Sequence, residues 1–471
     1  MTRLVLAALL LAACTVPPTA VVPPPAGPTA TASSAVVTRT DVAFDAARAR
    51  AHLEFLAAPA RGGRLTASPG YDEAARYLAD QLRVAGVEPY GDNGTFFQRF
   101  TMPLVDLAAT PSLETAAGAR FVHRADFTET VGGTSAGGRA DGPLVFAGNG
   151  SPEDLAATNV KDAVAILIGP GGDLAAVMRE GAAGVLLVSD RMIKFSYIPR
   201  FESRTLPQLV VSEATADALL ASSGKRIRDL ARQVDERRRS GGGEALSFAT
   251  TERVRMSLPL TPAREVTATN VVGIVRGMDP DLAKTAVLVG GHLDGVGTDP
   301  DGTVFQAAND NASGPAVLAE IARAVAARRG DLRRSVIFVA FAAEEQGLHG
   351  SEFFATRVST IPGRAESLVA FLNLDVAGCC GSVLGISEDS PDLRRRVVAA
   401  AEAEGVLVTT FRGSSDHASF VRRRVASAQI GFGDTGPIHT PRDTPAIVTE
   451  MNLGMVGRVA LRATLDLASA R

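Results

Sequence analysis

From Thr269 to the end of the chain, short β-branched and apolar runs alternate with stretches whose apolar residues recur at helical spacing. The apolar runs fall at 270–275, 286–290, 336–341, 368–374, 383–386 and 428–431. The helical stretches fall at 312–328, 351–357, 391–404 and 451–470. A strand that is apolar on both faces must be covered on both, and parallel neighbours need a long crossover, usually a helix. This alternation therefore sets the fold class. It is α/β, with a mixed, largely parallel central sheet and helices on both faces. Ligands of such sheets bind outside the carboxyl ends of the strands.

Polar residues collect at those ends. Gly291-His292-Leu293-Asp294 closes one apolar run and Ala343-Glu344-Glu345-Gln346-Gly347 closes another. Asn373-Leu374-Asp375 closes a third. Asn309-Asp310-Asn311-Ala312-Ser313-Gly314 precedes an Ala-rich helix, and His439-Thr440-Pro441-Arg442-Asp443-Thr444 lies in a loop. Singly, each is ambiguous. A His two residues before an Asp is a weak signal, and Asp310 alone reads best as a helix N-cap. Glu344-Glu345 alone reads as a solvated pair, but two carboxylates at a buried strand end are unfavourable without a cation or a shared proton. Together, two His and several carboxylates form the donor set of two borderline Lewis-acid cations such as zinc. Two such ions about 3.5–4 Å apart activate a water and clamp a tetrahedral intermediate.

These segments, in this order, resemble the metal motifs of the co-catalytic dizinc aminopeptidases, which include the secreted bacterial leucyl-type enzymes. The resemblance covers residues 44–104 and 260–471, including the loop from Gly63-Arg64 to Gly70. It implies a zinc exopeptidase-like fold and removal of N-terminal residues from peptides with a free N-terminus. By the same resemblance, His292 and Asp375 would hold one zinc, His439 and Glu345 the other, and Asp310 would bridge them. Glu344 would be the general base, and Asp294 a carboxylate behind a ligating imidazole. Cobalt or manganese would suit the same donors. Ser415-Asp416-His417 matches a family segment beside the site. Some members carry a Tyr three positions earlier, where this chain has Arg412, and no Tyr follows Tyr197. Arg412 either supplies a positive donor to the oxyanion or points to solvent, and Arg412 and His417 are the candidate oxyanion or substrate contacts.

The chain divides further. Met1-Thr2-Arg3 and the apolar run from Leu4 to Ala13 form a signal segment, 1–13, too short to span a bilayer. Cys14 follows at the position lipidated in bacterial lipoproteins, and 14–40 is a Pro-, Ala- and Thr-rich tether. The expected protein is exported and held to the cell envelope membrane through Cys14, on the periplasmic side of the outer membrane or the cell surface, or else secreted. Residues 41–104 and 259–471 form the peptidase unit. Residues 105–258 change texture, with short strands, Gly punctuation and no clustered His or carboxylates, and read as an inserted β-rich domain resembling a protease-associated domain. Cys379 and Cys380 are adjacent, and either a bond or two thiols fits the sequence. A net charge of −3 and a pI near 6.1 leave no electrostatic footprint for nucleic acid. No feature sets an oligomeric state. Two alternatives stay open: other amide chemistry such as glutaminyl cyclisation or carboxypeptidase action, and a non-catalytic binding protein. All five apparent ligands and the base are present, which favours two metals and hydrolysis.

Overall fold

The computed structural model describes residues 43–169, 173–360, 368–433 and 436–470. The expected signal segment, Cys14, the tether and Gly171-Gly172 lie outside the described residues. The apolar runs of the second half assemble as the heart of a nine-stranded mixed sheet. Its centre is four parallel strands in the order Ser335–Phe341, Ala286–His292, Leu368–Leu374, Ser427–Gly431. Antiparallel strands flank this centre. Arg264–Val275 pairs with Ser335–Phe341 on one side, and Leu384–Ser387 with Ser427–Gly431 on the other.

Alternation along the central strands explains why both faces are covered. Val287 and Val289 join the core beneath helices Ala46–Leu56, Pro69–Val84, Ser313–Ala327, Pro391–Ala403 and Glu450–Ser469. Ala286 and Leu288 join Phe341, Phe354, Phe371 and Phe420 on the opposite face, beneath His349–Thr360 and His417–Val421. Side chains of period two thus feed two cores from one strand. The parallel register sets His292 opposite Phe341 and Leu374 opposite Ile430, so the ends that carry the polar motifs share one edge.

Some elements differ from expectation. The strand expected at 270–275 runs Arg264–Val275, because its first half pairs with Phe97–Leu104. Val408–Phe411 and the short helix His417–Val421 were not foreseen. Both are too short to show a period, and the strand is half-exposed.

The chain leaves this sheet at Leu104 and re-enters at Arg264, and these two residues face each other. Between them lies a second, seven-stranded sheet with its own cores on both faces. Leu144, Val164 and Leu186 occupy one face, and Val145, Ala165 and Val185 the other. The arginine-rich stretch from Arg226 to Arg239 lies largely on helix Ile227–Ser240. Most of its arginines face solvent, but Arg237 turns inward to a bidentate pair with buried Asp154. Among the described residues, no helix is long and apolar enough to cross a membrane.

Candidate metal centre

The strand ends deliver their ligands to one point. His292 is the last residue of its strand and is buried. Its Nε2 lies 3.2 Å from Asp310 Oδ1 and 3.4 Å from Asp375 Oδ1. His439 Nε2 lies 3.2 Å from Asp310 Oδ2 and 3.0 Å from Glu345 Oε1. Each oxygen of Asp310 therefore faces a different imidazole. Asp310 is not an N-cap; Ala312 occupies that position before helix Ser313–Ala327. Ala343, Val376 and His439 all adopt positive φ, which marks sharp reversals beside the ligands.

These residues fit a pair of cations. Two N or O donors at 2.0–2.2 Å from one tetrahedral zinc are about 3.3–3.5 Å apart. The observed separations of 3.0–3.4 Å lie at or a few tenths of an ångström below this. Glu345 Oε1 and Asp375 Oδ1 are buried yet receive no hydrogen bond, although an imidazole nitrogen is close to each. Atoms that approach without bonding converge on a third partner. Two His/Asp/Glu groups, His292 with Asp310 and Asp375, and Asp310 with Glu345 and His439, form candidate sites sharing Asp310. His292 also converges with Glu344 and Glu345.

The charge inventory points the same way. Asp294, Asp310, Glu345, Asp375, Asp416 and Asp443 are all buried, while Arg64 is a buried guanidinium among them. Glu344 converges on the same cluster and is only partly exposed. Burial pushes its carboxyl well above the usual range, and Glu345 and Asp416 add to this. Burial likewise raises Asp294 to about 6 and Asp443 to about 6. Burial would lower the basicity of both imidazoles, but Glu344 and Asp375 around His292, and Glu345 and Asp310 around His439, raise it well above normal. So many buried carboxylates call for cations.

Supporting contacts fix the ligands. The Asp294 carboxylate accepts the main-chain N–H groups of Glu344 and Glu345, each at 3.2 Å, while His292 Nδ1 sits 3.2 Å from the Asp294 carbonyl and 3.8 Å from its carboxylate. Asp294 thus supports the Glu344-Glu345 turn more directly than the imidazole. Asp443 accepts from the N–H groups of Asn309 at 2.7 Å and Asp310 at 3.1 Å. Gln429 Nε2 donates to Asp375 Oδ2 at 3.3 Å. Arg64 donates to the carbonyls of Leu56, Leu293, Gln306 and Ala307, tying both ends of the loop between His292 and Asp310. Gly63 lets the Arg64 turn approach: its φ is +68°, and a Cβ there would overlap the carbonyl oxygens of Gly297 and Phe305.

Arg412 and His417 have their side-chain partners on other residues. Arg412, a candidate oxyanion donor, has a side chain 90% exposed, and its Nε donates to Glu388 at 2.8 Å. It follows the outermost strand, Val408–Phe411, whose end faces solvent. His417 is buried with its Nε2 3.1 Å from Asp389. Its neighbour Asp416, quoted in the motif but not taken as a site residue, is fully buried with neither oxygen hydrogen-bonded. Burial, with Asp294 and Asp375 nearby, pushes Asp416 up to about 7. A carboxylate beside a His in a motif was the available signal. Cys379 and Cys380, left open by the sequence, are joined as a disulfide beyond the strand that ends at Leu374.

Residues 270–464 match the family model described as Peptidase family M28. The aminopeptidase from Aneurinibacillus sp. strain AM-1 superposes with a TM-score of 0.67 at 20% identity, covering 90% of this chain and 94% of that one. The zinc aminopeptidase BSAP from Bacillus subtilis superposes with a TM-score of 0.65 at 21% identity, covering 90% and 96%. The chain shares the fold of these two aminopeptidases. Among curated proteins, Aminopeptidase YwaD of Bacillus subtilis (strain 168) is 30% identical over 241 residues, 48% of this chain and 49% of that one. The chain spans about half the length, or less, of the curated relatives it matches.

Proposed function

We propose that this chain is a zinc-dependent aminopeptidase that releases N-terminal residues from peptides. The observation that carries this reading is Asp310, whose two oxygens each lie 3.2 Å from a different imidazole. His292 and Asp375 would hold one ion, His439 and Glu345 the other, and Asp310 both. When bound, such ions supply Lewis acidity, lowering the pKa of a water and drawing charge from the scissile carbonyl. Glu344 lies beside this cluster, next to His292 and Glu345. Its carboxylate takes a proton from the attacking water and returns it to the leaving amine. A free N-terminal amine would find an ion and nearby carboxylates as partners, and an acylated one would not. This favours an exopeptidase over an endopeptidase.

The second sheet, with its own cores between Leu104 and Arg264, supports reading residues 105–258 as an inserted protease-associated domain. Export and lipidation at Cys14 rest on the shape of the first fourteen residues.

The test uses residues 41–471. About two zinc per chain is expected, with amino acids released from unblocked but not N-acetylated peptides. Glu344→Gln should retain zinc and lose on the order of 10²–10⁴-fold in kcat. Bound zinc with no peptide hydrolysis would shift the reading to other amide chemistry. Absence of both would leave a binding protein.

A further inference from the structure

The second sheet sends one strap over the metal centre, and the strap's contacts are with the ligand segments themselves. Ser196 Oγ donates to Glu345 Oε2 at 2.9 Å. The N–H of Lys194 donates to the carbonyl of His439 at 2.9 Å. Lys194 Nζ is buried 3.1 Å from Asp299, which lies on the loop between His292 and Asp310. Arg124 adds a second grip on Asp299, with Nε at 2.8 Å and Nη2 at 3.1 Å, and pairs with buried Glu129 at 2.7 Å. Residues of the intervening stretch therefore touch two metal-ligand residues and the loop joining two others.

We infer that the inserted stretch is part of the metal centre, with Ser196 as a positioning residue for Glu345. This rests on the zinc reading above. Glu345 offers Oε1 toward His439, which leaves Oε2 in need of a donor. The Ser196 hydroxyl supplies it and fixes the carboxylate's rotation, so that Oε1 stays on the ligand position. Partners behind a metal ligand typically change affinity by 10–100-fold. The clasp of Lys194, Arg124, Asp299 and Glu129 explains how a strap from a separate sheet holds that register. Buried ion pairs add little over a well-packed apolar replacement, but removing one partner, or docking so that a charge is left unpaired, is costly.

The test reads zinc affinity by chelator competition, with metal-free protein titrated and stoichiometry measured directly. Ser196→Ala is expected to weaken one of the two sites 10–100-fold and leave the other unchanged. Ser196→Thr, which keeps the hydroxyl, should restore affinity to within about threefold of wild type, since only a methyl is added. Lys194→Met, which loosens the strap without touching Glu345, should weaken the same site. Two tight sites in wild type with Ser196→Ala unchanged overturn this inference and leave the aminopeptidase reading standing. Equal weakening of both sites in Ser196→Ala, with a lowered metal-free midpoint, shows a general structural role and also overturns it. A wild-type chain that binds no zinc overturns both.

Discussion

Replacing Arg64 by Met should cripple the fold around the metal centre. Arg64 is fully buried and donates four hydrogen bonds, at 2.8–2.9 Å, to main-chain carbonyls. Hydrogen bonds from a charged donor contribute about 1.5–3 kcal/mol each, so four give about 6–12 kcal/mol. Against this stands the cost of burying the charge, which takes the guanidinium down to about 10 although Asp443 and Asp294 lie near. Met fills much of the volume but leaves four carbonyls without a donor, and at about 1–3 kcal/mol for each unsatisfied group a loss of at least about 5 kcal/mol is expected. That is a large share of the roughly 5–15 kcal/mol that stabilises a native protein. Arg64→Lys keeps the charge but carries three donors on a single atom, and should lose about half as much. The chain has no Trp, so urea unfolding of metal-free protein is best followed by far-UV circular dichroism. Arg64→Met within about 1 kcal/mol of wild type would refute the reasoning, because no unsatisfied carbonyl could then be present.

Asp443→Asn places an amide donor against one of the N–H groups of Asn309 and Asp310, and should lower bound zinc below two per chain and activity by at least about tenfold, measured by atomic absorption and amino-acid release. Arg412→Ala should keep kcat/KM within about twofold of wild type, because an exposed guanidinium on Glu388 touches nothing in the cleft. Burial alone would raise Glu129, but bonds from His123, Arg124 and Tyr197 hold it at about 2 against 4.5. A carboxylate depressed on folding stabilises above its unfolded pKa and loses that stability as pH falls through the folded one. Glu129 therefore contributes about 3 kcal/mol at neutral pH, lost between pH 4.5 and 2, and Glu129→Gln should fall by that amount at pH 7 and converge with wild type in acid, in urea melts of metal-free protein.

The sheet and the positions of its polar ends were legible because both are local. A run such as Val287-Leu288-Val289 declares a strand buried on two sides, and a helix of a dozen residues after it forces a parallel return. Once the strands are parallel, every carboxyl end lies on one edge, and His292, Glu344, Glu345 and Asp375 follow without knowledge of any contact. Asp310 was ambiguous until the structure turned its oxygens toward two imidazoles, since the same residue before a helix would serve as a cap.

What the sequence hid depends on how separate pieces dock. Arg412 sits three residues before a motif that lies at the site, and proximity in sequence argued for proximity in space. The four-residue strand before it ends at the outer rim of the sheet, so the side chain meets Glu388 and solvent. Asp416 gave no signal of its own, because burial without a hydrogen-bond partner is a property of its surroundings. Ser196 is the extreme case. It lies 149 residues from Glu345, in a stretch with no His or carboxylate cluster, and a lone serine has no spacing to read. Its place is fixed by four charges at the seam, the partly buried Arg124 and the buried Glu129, Lys194 and Asp299, none of which is informative until paired. Ligands that must bind a cation are constrained in type and appear as motifs. The groups that hold those ligands need only one donor at the right place, so many residue types can serve and no pattern marks them.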